Sequence, residues 1–222
     1  MLIFRKHSSS DYLITNYKVM FSTLSAQQNV GRVGLTKKLA LSGALTWIGA
    51  APDDFYLLVR NPYLRLESFF RDKLRDAVAQ SAAKGEWQPS HRVFFPPFDL
   101  HENMEAEVLA AALRNISFEA FLTALPSVYR HDRHLHPQAW SLRLRANKYP
   151  VGVPVRFTKI FRMERESDLA EMGRIFDLDL GLTMNQTDPV QHPIVWSSRG
   201  RAIAEKIYAR DFAAFRYPRL PG

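Results

Sequence analysis

Residues 55–73 read FYLLVRNPYLRLESFFRDK, and this stretch decides the fold class. Phe55–Val59 is a short, unbroken apolar run. It lacks the in-and-out alternation of a half-solvated strand and fits one buried on both faces, the habit of a parallel sheet. After Asn61-Pro62 the chain from Tyr63 to Ser81 reads as helix. Its Leu66, Phe69, Phe70, Leu74 and Val78 recur at three- and four-residue spacing. Pro62 stands where a first-turn proline is tolerated. A buried strand running straight into a helix is the repeating unit of an α/β sheet, and ligands of such sheets gather at the strands' carboxyl ends.

The flanking sequence extends the pattern. Tyr12–Met20 (YLITNYKVM) reads as a strand entering a turn. Residues 22–41 read as polar loop passing into helix, with Ser22, Thr23 or Ser25 available as N-cap. Val155–Phe161 (VRFTKIF) reads as another buried strand. Met104–Leu113, Ser117–Leu125, Glu164–Phe176 and Ser198–Phe215 read as helices, the second capped by Ser117 and the last by Ser197 or Ser198. Trp87–Pro97, with Pro89, Pro96 and Pro97, is expected to be loop, as is the His-rich Tyr129–Gln138. The expectation is an α/β fold, a parallel sheet flanked by helices with a mostly helical C-terminal half, in a single domain over residues 1–222.

Composition narrows the classes. The 222 residues are 46% hydrophobic and 23% charged, with no cysteine and a net charge of +8. Disulfides, cysteine nucleophiles and thiolate metal sites are excluded, and the lack of cysteine fits a reducing compartment. There is no run of about 18 apolar residues, and the first residues lack the apolar core and cleavage site of a signal peptide. A cytoplasmic location is therefore expected. The positive balance favours anionic partners: nucleic acid, acidic lipid, acidic glycan or a polyphosphorylated nucleotide. A basic surface with no specific ligand has the same composition.

Two turns carry candidate chemistry. Lys18–Leu24 (KVMFSTL) ends one strand and opens a helix, so a lysine, two hydroxyls and backbone N–H groups face one anion-sized spot. The glycine-rich GxxxxGK[ST] pattern is missing, and an ordinary capped helix with a surface lysine has the same spacing. Arg60 directly follows the second strand, where its guanidinium can fork onto a phosphate. Ser68 lies two helical turns on. Arg65, Arg71 and Lys73 read as the solvated face of a basic amphipathic helix. In the His-rich loop His134 is the leading candidate for a general base near neutral pH. His131, Asp132 and His136 stand close by, and a metal site or a purely structural role stays open for the group. His7, His91, His101 and His192 are taken as structural. Trp87, Phe94, Phe95 and Phe98 fit either sugar stacking or core.

Together these stretches resemble the sulfotransferases that use 3′-phosphoadenosine-5′-phosphosulfate (PAPS). Lys18-Val19 with Ser22-Thr23 is similar to that family's 5′-phosphosulfate loop, although Met20-Phe21 replace the usual small residues and no proline precedes Lys18. Val59-Arg60-Asn61-Pro62-Tyr63, Arg65-Leu66, Ser68 and Arg71-Asp72-Lys73 resemble its 3′-phosphate element. Phe118–Phe121, then Asp132 through Gln138, resemble the HW-x-PQ segment of the carbohydrate branch (sulfotransferase family 2, chondroitin type), with Leu135 for Trp. Phe157–Glu164 with Asp168-Leu169 resembles its FIGKFE-x-x-x-x-DL stretch. Asn185-Gln186-Thr187, Ile207-Tyr208, Asp211-Phe212, Phe215 and Tyr217 resemble its closing elements.

The resemblance implies a P-loop-like fold and transfer of the PAPS sulfuryl group to a hydroxyl of a carbohydrate or glycoconjugate. Lys18, Ser22 and Thr23 would hold the 5′-phosphosulfate, and Arg60 and Ser68 the 3′-phosphate. Lys18 would neutralise the leaving oxygen, and no metal is required. The absence of an anchor and of the animal members' cysteines suggests a bacterial enzyme. Nucleic acid is not an expected partner, and peripheral membrane contact is left open. The alternatives are a P-loop-like kinase, for which no acidic magnesium motif is evident, and a non-catalytic basic module that binds nucleic acid or acidic glycan.

Overall fold

The computed structural model describes residues 1–144, 152–180 and 194–221. In chain order its first elements are β1 (Leu2–Lys6), β2 (Tyr12–Thr15), α1 (Phe21–Ser25), β3 (Val30–Val33), α2 (Lys37–Leu45) and β4 (Phe55–Val59). Then come α3 (Pro62–Arg71), α4 (Ala77–Lys84), α5 (Pro89–Arg92), α6 (Ala106–Asn115) and α7 (Phe118–Val128). The chain closes with β5 (Arg143–Leu144), β6 (Val153–Pro154), β7 (Lys159–Arg162), α8 (Glu166–Phe176), α9 (Ser198–Ile207) and α10 (Ala209–Phe215). These elements form two compact units, one from Met1–Asn61 and Gln138–Gln186, the other from Pro62–Pro137 and Thr187–Gly222. Among the described residues no single helix is long and apolar enough to cross a membrane.

The first unit is α/β. Its five-stranded sheet has the order β3-β1-β2-β4-β7. β2, β4 and β7 run parallel, while β1 is antiparallel to both β2 and β3. The sheet is thus mixed, where the sequence reading expected it parallel. The cause is local. β1 and β2 are joined by a turn closed by Lys6 N–H donating to the Asp11 carbonyl at 3.0 Å, and so short a connection permits only an antiparallel pair. β3 (VGRV) is polar, short and carries a glycine, so its apolar signal is weak. The parallel half follows the expectation closely: all five residues of β4 are buried. One face of the sheet gathers Phe4, Leu13, Tyr56, Leu58 and Phe161, joined by Leu24 of α1 and by Met172 and Phe176 of α8. Burying side chains of this size contributes about 1.5–3 kcal/mol each.

The regular structure of the second unit is all helical among its described residues. The periodicity of 63–81 is one helical run, but it passes through a π-helical turn at Asp72–Asp76 between α3 and α4. Its inner stripe, Leu66, Phe69, Phe70, Leu74 and Val78, is buried as the spacing predicts. Phe69, Phe70, Phe94, Phe118 and Phe121 form a ring cluster, with centroids from 5.2 Å (Phe70–Phe118) to 6.0 Å (Phe69–Phe94). Phe94, Phe95 and Trp87 are buried in this unit's interior, which resolves their open reading towards core. The proline-rich 87–97 stretch holds α5 and a 3₁₀ turn at Pro96–Phe98 rather than plain loop. Both start on a proline, whose fixed φ suits a first helical turn. Ser117 caps α7 by accepting the Ala120 N–H at 3.1 Å, and Ser197 caps α9 by accepting the Gly200 N–H at 2.8 Å.

Candidate functional site

In the first unit the carboxyl ends of β2, β4 and β7 lie on one edge, because the three strands are parallel. Most of the residues that leave this edge are polar. Asn16, Tyr17 and Lys18 follow β2; Arg60 and Asn61 follow β4; Met163 and Glu164 follow β7. The turn after β2 is wound by two non-glycine residues in the left-handed region, Lys18 at φ 66° and Met20 at φ 52°. Such residues cost about 1–2 kcal/mol each and cluster where a turn serves a site. Val19 between them is fully buried. The buried Thr15 hydroxyl lies 3.2 Å from the carbonyls of both Val19 and Leu58, tying the turn to β4.

Arg60 joins the two strand ends. Its guanidinium Nη1 donates to the Lys18 carbonyl at 3.2 Å. Its backbone is clamped from both sides by the buried Gln138 amide: Arg60 N–H donates to Oε1 at 2.8 Å, and Nε2 donates to the Arg60 carbonyl at 2.6 Å. The Asn61 N–H donates to Glu164 Oε1 at 2.6 Å. A backbone held at both N–H and C=O fixes the direction in which the side chain leaves the strand. Asn16 is also buried. Its Oδ1 accepts from Ser141 Oγ at 3.1 Å, while Nδ2 has no hydrogen-bond partner among the described residues. A buried donor left unmade costs about 1–3 kcal/mol, so this amide adds an unused donor at the same edge.

Lys18 and Arg60, which the resemblance assigns to the 5′-phosphosulfate and the 3′-phosphate respectively, thus stand at one edge, joined through the Lys18 carbonyl. The two hydroxyls of the loop are less open. α1 is a single turn and a half, and its N-cap is Met20, with no side-chain cap bond, rather than Ser22, Thr23 or Ser25. The reason is that Met20 itself turns the chain through its positive φ, which puts the serine and threonine inside the helix. Ser22 is half-buried and Thr23 is buried against the core.

In the second unit His134 sits in a loop held by side chains. Asp132 Oδ1 accepts from His134 Nδ1 at 2.7 Å and from the His134 backbone N–H at 2.8 Å. Ser90 Oγ lies 3.3 Å from the same ring nitrogen. Burial works against the Asp132 carboxylate, but the hydrogen bonds and charge of His134 outweigh it and hold its pKa below the usual range. An ionised carboxylate only accepts, so Nδ1 carries a hydrogen in this pair. In a neutral ring held this way Nε2 is the basic nitrogen, the tautomer a general base needs.

The loop backbone is anchored from beneath. Arg65 is 1% exposed, not part of a solvated basic face. Its Nη1 donates to the His134 carbonyl at 3.0 Å, and its guanidinium lies over the Tyr208 ring at 5.2 Å. Nη2 stands 4.0 Å from Asp211 Oδ2, with both side chains out of solvent. The Tyr208 hydroxyl donates to the Leu135 carbonyl at 2.8 Å. Helical spacing misjudged Arg65 because the position falls between the apolar stripe and the wet face; what buries it is Asp211, far along the chain.

Lys73 is drawn in as well. It lies in the π-helical turn, donates to Gln88 Oε1 at 3.0 Å, and burial lowers its pKa. His91 is buried and fully satisfied: Nε2 donates to the Lys73 carbonyl at 2.8 Å and Nδ1 accepts the Gln88 N–H at 3.3 Å. Burial lowers its pKa too, keeping it a neutral structural imidazole.

Ser68, on α3, is half-buried in this second unit. His131 is exposed, and the His136 Nε2 bonds the Arg130 carbonyl at 3.0 Å. Among the described residues no three His, Asp or Glu side chains gather as a metal site, so the open metal reading of this loop gains no support. Asn185-Gln186-Thr187 and His192 lie outside the described residues.

Sequence reasoning did not assign Asn16, Gln138, Glu164, Arg65 or Ser90 a role. For Asn16 the signal was available, since a polar side chain at the first position past a buried strand faces the ligand edge of an α/β sheet. Gln138 and Glu164 act through backbone contacts that spacing does not reveal. Comparisons with family models, with curated proteins and with solved structures gave no match to this chain.

Proposed function

We propose that the chain is a PAPS-dependent sulfotransferase with a P-loop-like core, acting on a hydroxyl of a carbohydrate or glycoconjugate. The observation that carries the reading is the pairing of the Arg60 guanidinium with the strained turn of Lys18, at 3.2 Å. A turn forced into left-handed backbone after one parallel strand, and an arginine clamped at the end of the next, make a cationic edge suited to a phosphorylated nucleotide. In this reading Lys18 and the Ser22 hydroxyl hold the 5′-phosphosulfate, with Thr23 supporting the turn from inside. Arg60 holds the 3′-phosphate, and the Asn16 amide supplies a further donor.

Sulfuryl transfer, like phosphoryl transfer, asks the protein mainly for positioning and charge neutralisation. The acceptor oxygen forms a bond to sulfur as the bridging oxygen to the 5′-phosphate leaves with the electron pair. Lys18 neutralises that oxygen. The acceptor's hydroxyl proton needs a base, and an imidazole held as Asp132 holds His134 has the chemistry for it. The products are a sulfate ester and 3′-phosphoadenosine-5′-phosphate.

Calorimetric titration with 3′-phosphoadenosine-5′-phosphate tests the reading, with ADP as control. Micromolar binding is expected, at least tenfold tighter than ADP and reduced more than tenfold in Arg60→Ala, the loss of one charge-assisted phosphate contact being worth about 1.5–3 kcal/mol. Equal binding of ADP, or none of either nucleotide, overturns it and leaves a basic binding module as the better description.

A further inference from the structure

We infer that α2 and the turn that follows it form a docking face for an anionic lipid bilayer. α2 (KKLALSGAL) runs into a 3₁₀ turn, Thr46–Ile48. Its inward side is settled by contact: Leu39, Ser42 and Gly43 are buried, and a Cβ on Gly43 would stand 2.7 Å from Leu144 Cδ1 and 3.1 Å from Val155 Cγ2. The β5–β6 strand pair therefore seats closely on that side. The opposite side carries three large apolar residues in solvent, Leu41 at 61%, Trp47 at 56% and Ile48 at 75% exposure. Leu41 and Ala44 are exposed one turn apart on the helix, and Trp47 and Ile48 continue the apolar surface in the turn that follows it.

The same surface is cationic. Lys37 and Lys38 are exposed at its start, one turn before Leu41. Arg156 is exposed, and its N–H donates to Thr46 Oγ1 at 2.8 Å, which sets it beside the turn that carries Trp47. Asp53, the next carboxylate in sequence, is taken up by the buried Ser42 hydroxyl at 2.6 Å. Helix stability does not explain the lysines. They occupy the first turn, where the macrodipole favours acidic residues, and α2 has none there.

An exposed Trp-Ile pair rimmed by cations is the composition of a segment that lies in a membrane interface. The charge selects the occupant. A second copy meeting this face about a two-fold axis would bring Lys37 and Lys38 towards their own like, whereas phosphatidylserine headgroups are complementary to them. The inference is independent of the nucleotide reading, because none of these residues belongs to the Lys18–Arg60 edge.

Co-sedimentation of the full chain with phosphatidylcholine vesicles, with and without phosphatidylserine, tests it. Binding is expected only to the anionic vesicles, with a blue shift in tryptophan emission that Trp47→Phe removes. Lys37→Glu/Lys38→Glu is expected to lower partitioning by about thirtyfold or more, and Trp47→Ser/Ile48→Ser by at least about tenfold. All four positions are exposed, so an unchanged melting temperature in each variant confirms that folding is intact. No binding to anionic vesicles overturns the inference. So does binding that both double variants leave unchanged, which would assign it to the general basic surface. A concentration-dependent dimer abolished by Trp47→Ser/Ile48→Ser would overturn it in favour of a second copy.

Discussion

The turn after β2 and the His134 loop are both held in one conformation, but by different means. The turn is a backbone device. Two left-handed residues wind it, the Thr15 hydroxyl pins one carbonyl, and Arg60 binds another. The His134 loop is a side-chain device. Asp132 holds the ring and the N–H, Arg65 the carbonyl of His134, and Tyr208 the carbonyl of Leu135. Backbone strain is local, so its cost is confined to the residue that carries it. A buried polar network acts as a unit, and removing one member strands the others. The two regions should therefore respond very differently to single substitutions.

The largest effect is expected at Arg65. Arg65→Ala leaves Asp211 fully buried without its cation and strips the His134 carbonyl of a donor. Breaking a buried pair in this way costs about 3–5 kcal/mol, read as a lower midpoint in urea. Arg60→Ala removes a half-buried guanidinium whose backbone stays clamped by Gln138, and is expected to cost no more than about 1 kcal/mol. Equal losses at the two arginines would break the contrast between network and turn.

Asp132→Asn gives the next largest effect, about 1–3 kcal/mol, since it replaces a charge-assisted acceptor in the same network. Its pH signature sharpens the point. The folded pKa of Asp132 is depressed, so its stabilisation is complete above the ordinary aspartate value and is lost as pH falls through the lower folded value. His91 acts earlier in an acid titration. Its folded pKa is also depressed, by burial. The unfolded chain therefore gains a proton first, and stability declines once pH drops below about 6.5. Thermal melts from about pH 8 to about pH 3, which span the ordinary histidine and aspartate values, should show two stages. Asp132→Asn should remove most of the second stage, and His91→Gln part of the first, which His91 shares with His136, whose pKa burial also lowers. If proton uptake at His134 is the catalytic step, Asp132→Asn also lowers kcat and leaves KM for PAPS unchanged.

The same contrast explains what could be read in advance. β4 and the stripe Leu66–Phe69–Phe70–Leu74–Val78 were legible because a single local pattern, an apolar run or a helical period, already implies burial. So was the edge bearing Lys18 and Arg60, since polar residues directly after buried strands point one way in an α/β sheet. β1 and β3 were not, because their antiparallel pairing depends on a turn and on partners elsewhere rather than on their own pattern. Arg65 was not, because a buried arginine requires a specific anion, and Asp211 lies 146 positions further along (211 − 65). Asp132 and His134 were visible as neighbours, yet Arg65 and Ser90 come from α3 and α5, and Tyr208 from the junction of α9 and α10.

The smallest effect is expected where the backbone alone is altered. Lys18 adopts φ 66° without being a glycine. Lys18→Gly removes the Cβ that makes this conformation costly, for a gain of about 1 kcal/mol less the greater chain entropy of glycine in the unfolded state. The variant should thus be as stable as the parent or slightly more so. It should nevertheless bind 3′-phosphoadenosine-5′-phosphate more weakly, because the cation is gone while the turn remains. Lys18→Ala separates the two effects: it loses the same cation and keeps the strain. Urea midpoints ordered glycine above alanine, together with equally weakened nucleotide binding in both, would show that the protein spends backbone strain to hold a lysine at this position. Tighter binding by the glycine variant would instead make the turn's N–H groups the anion site and remove Lys18 from it.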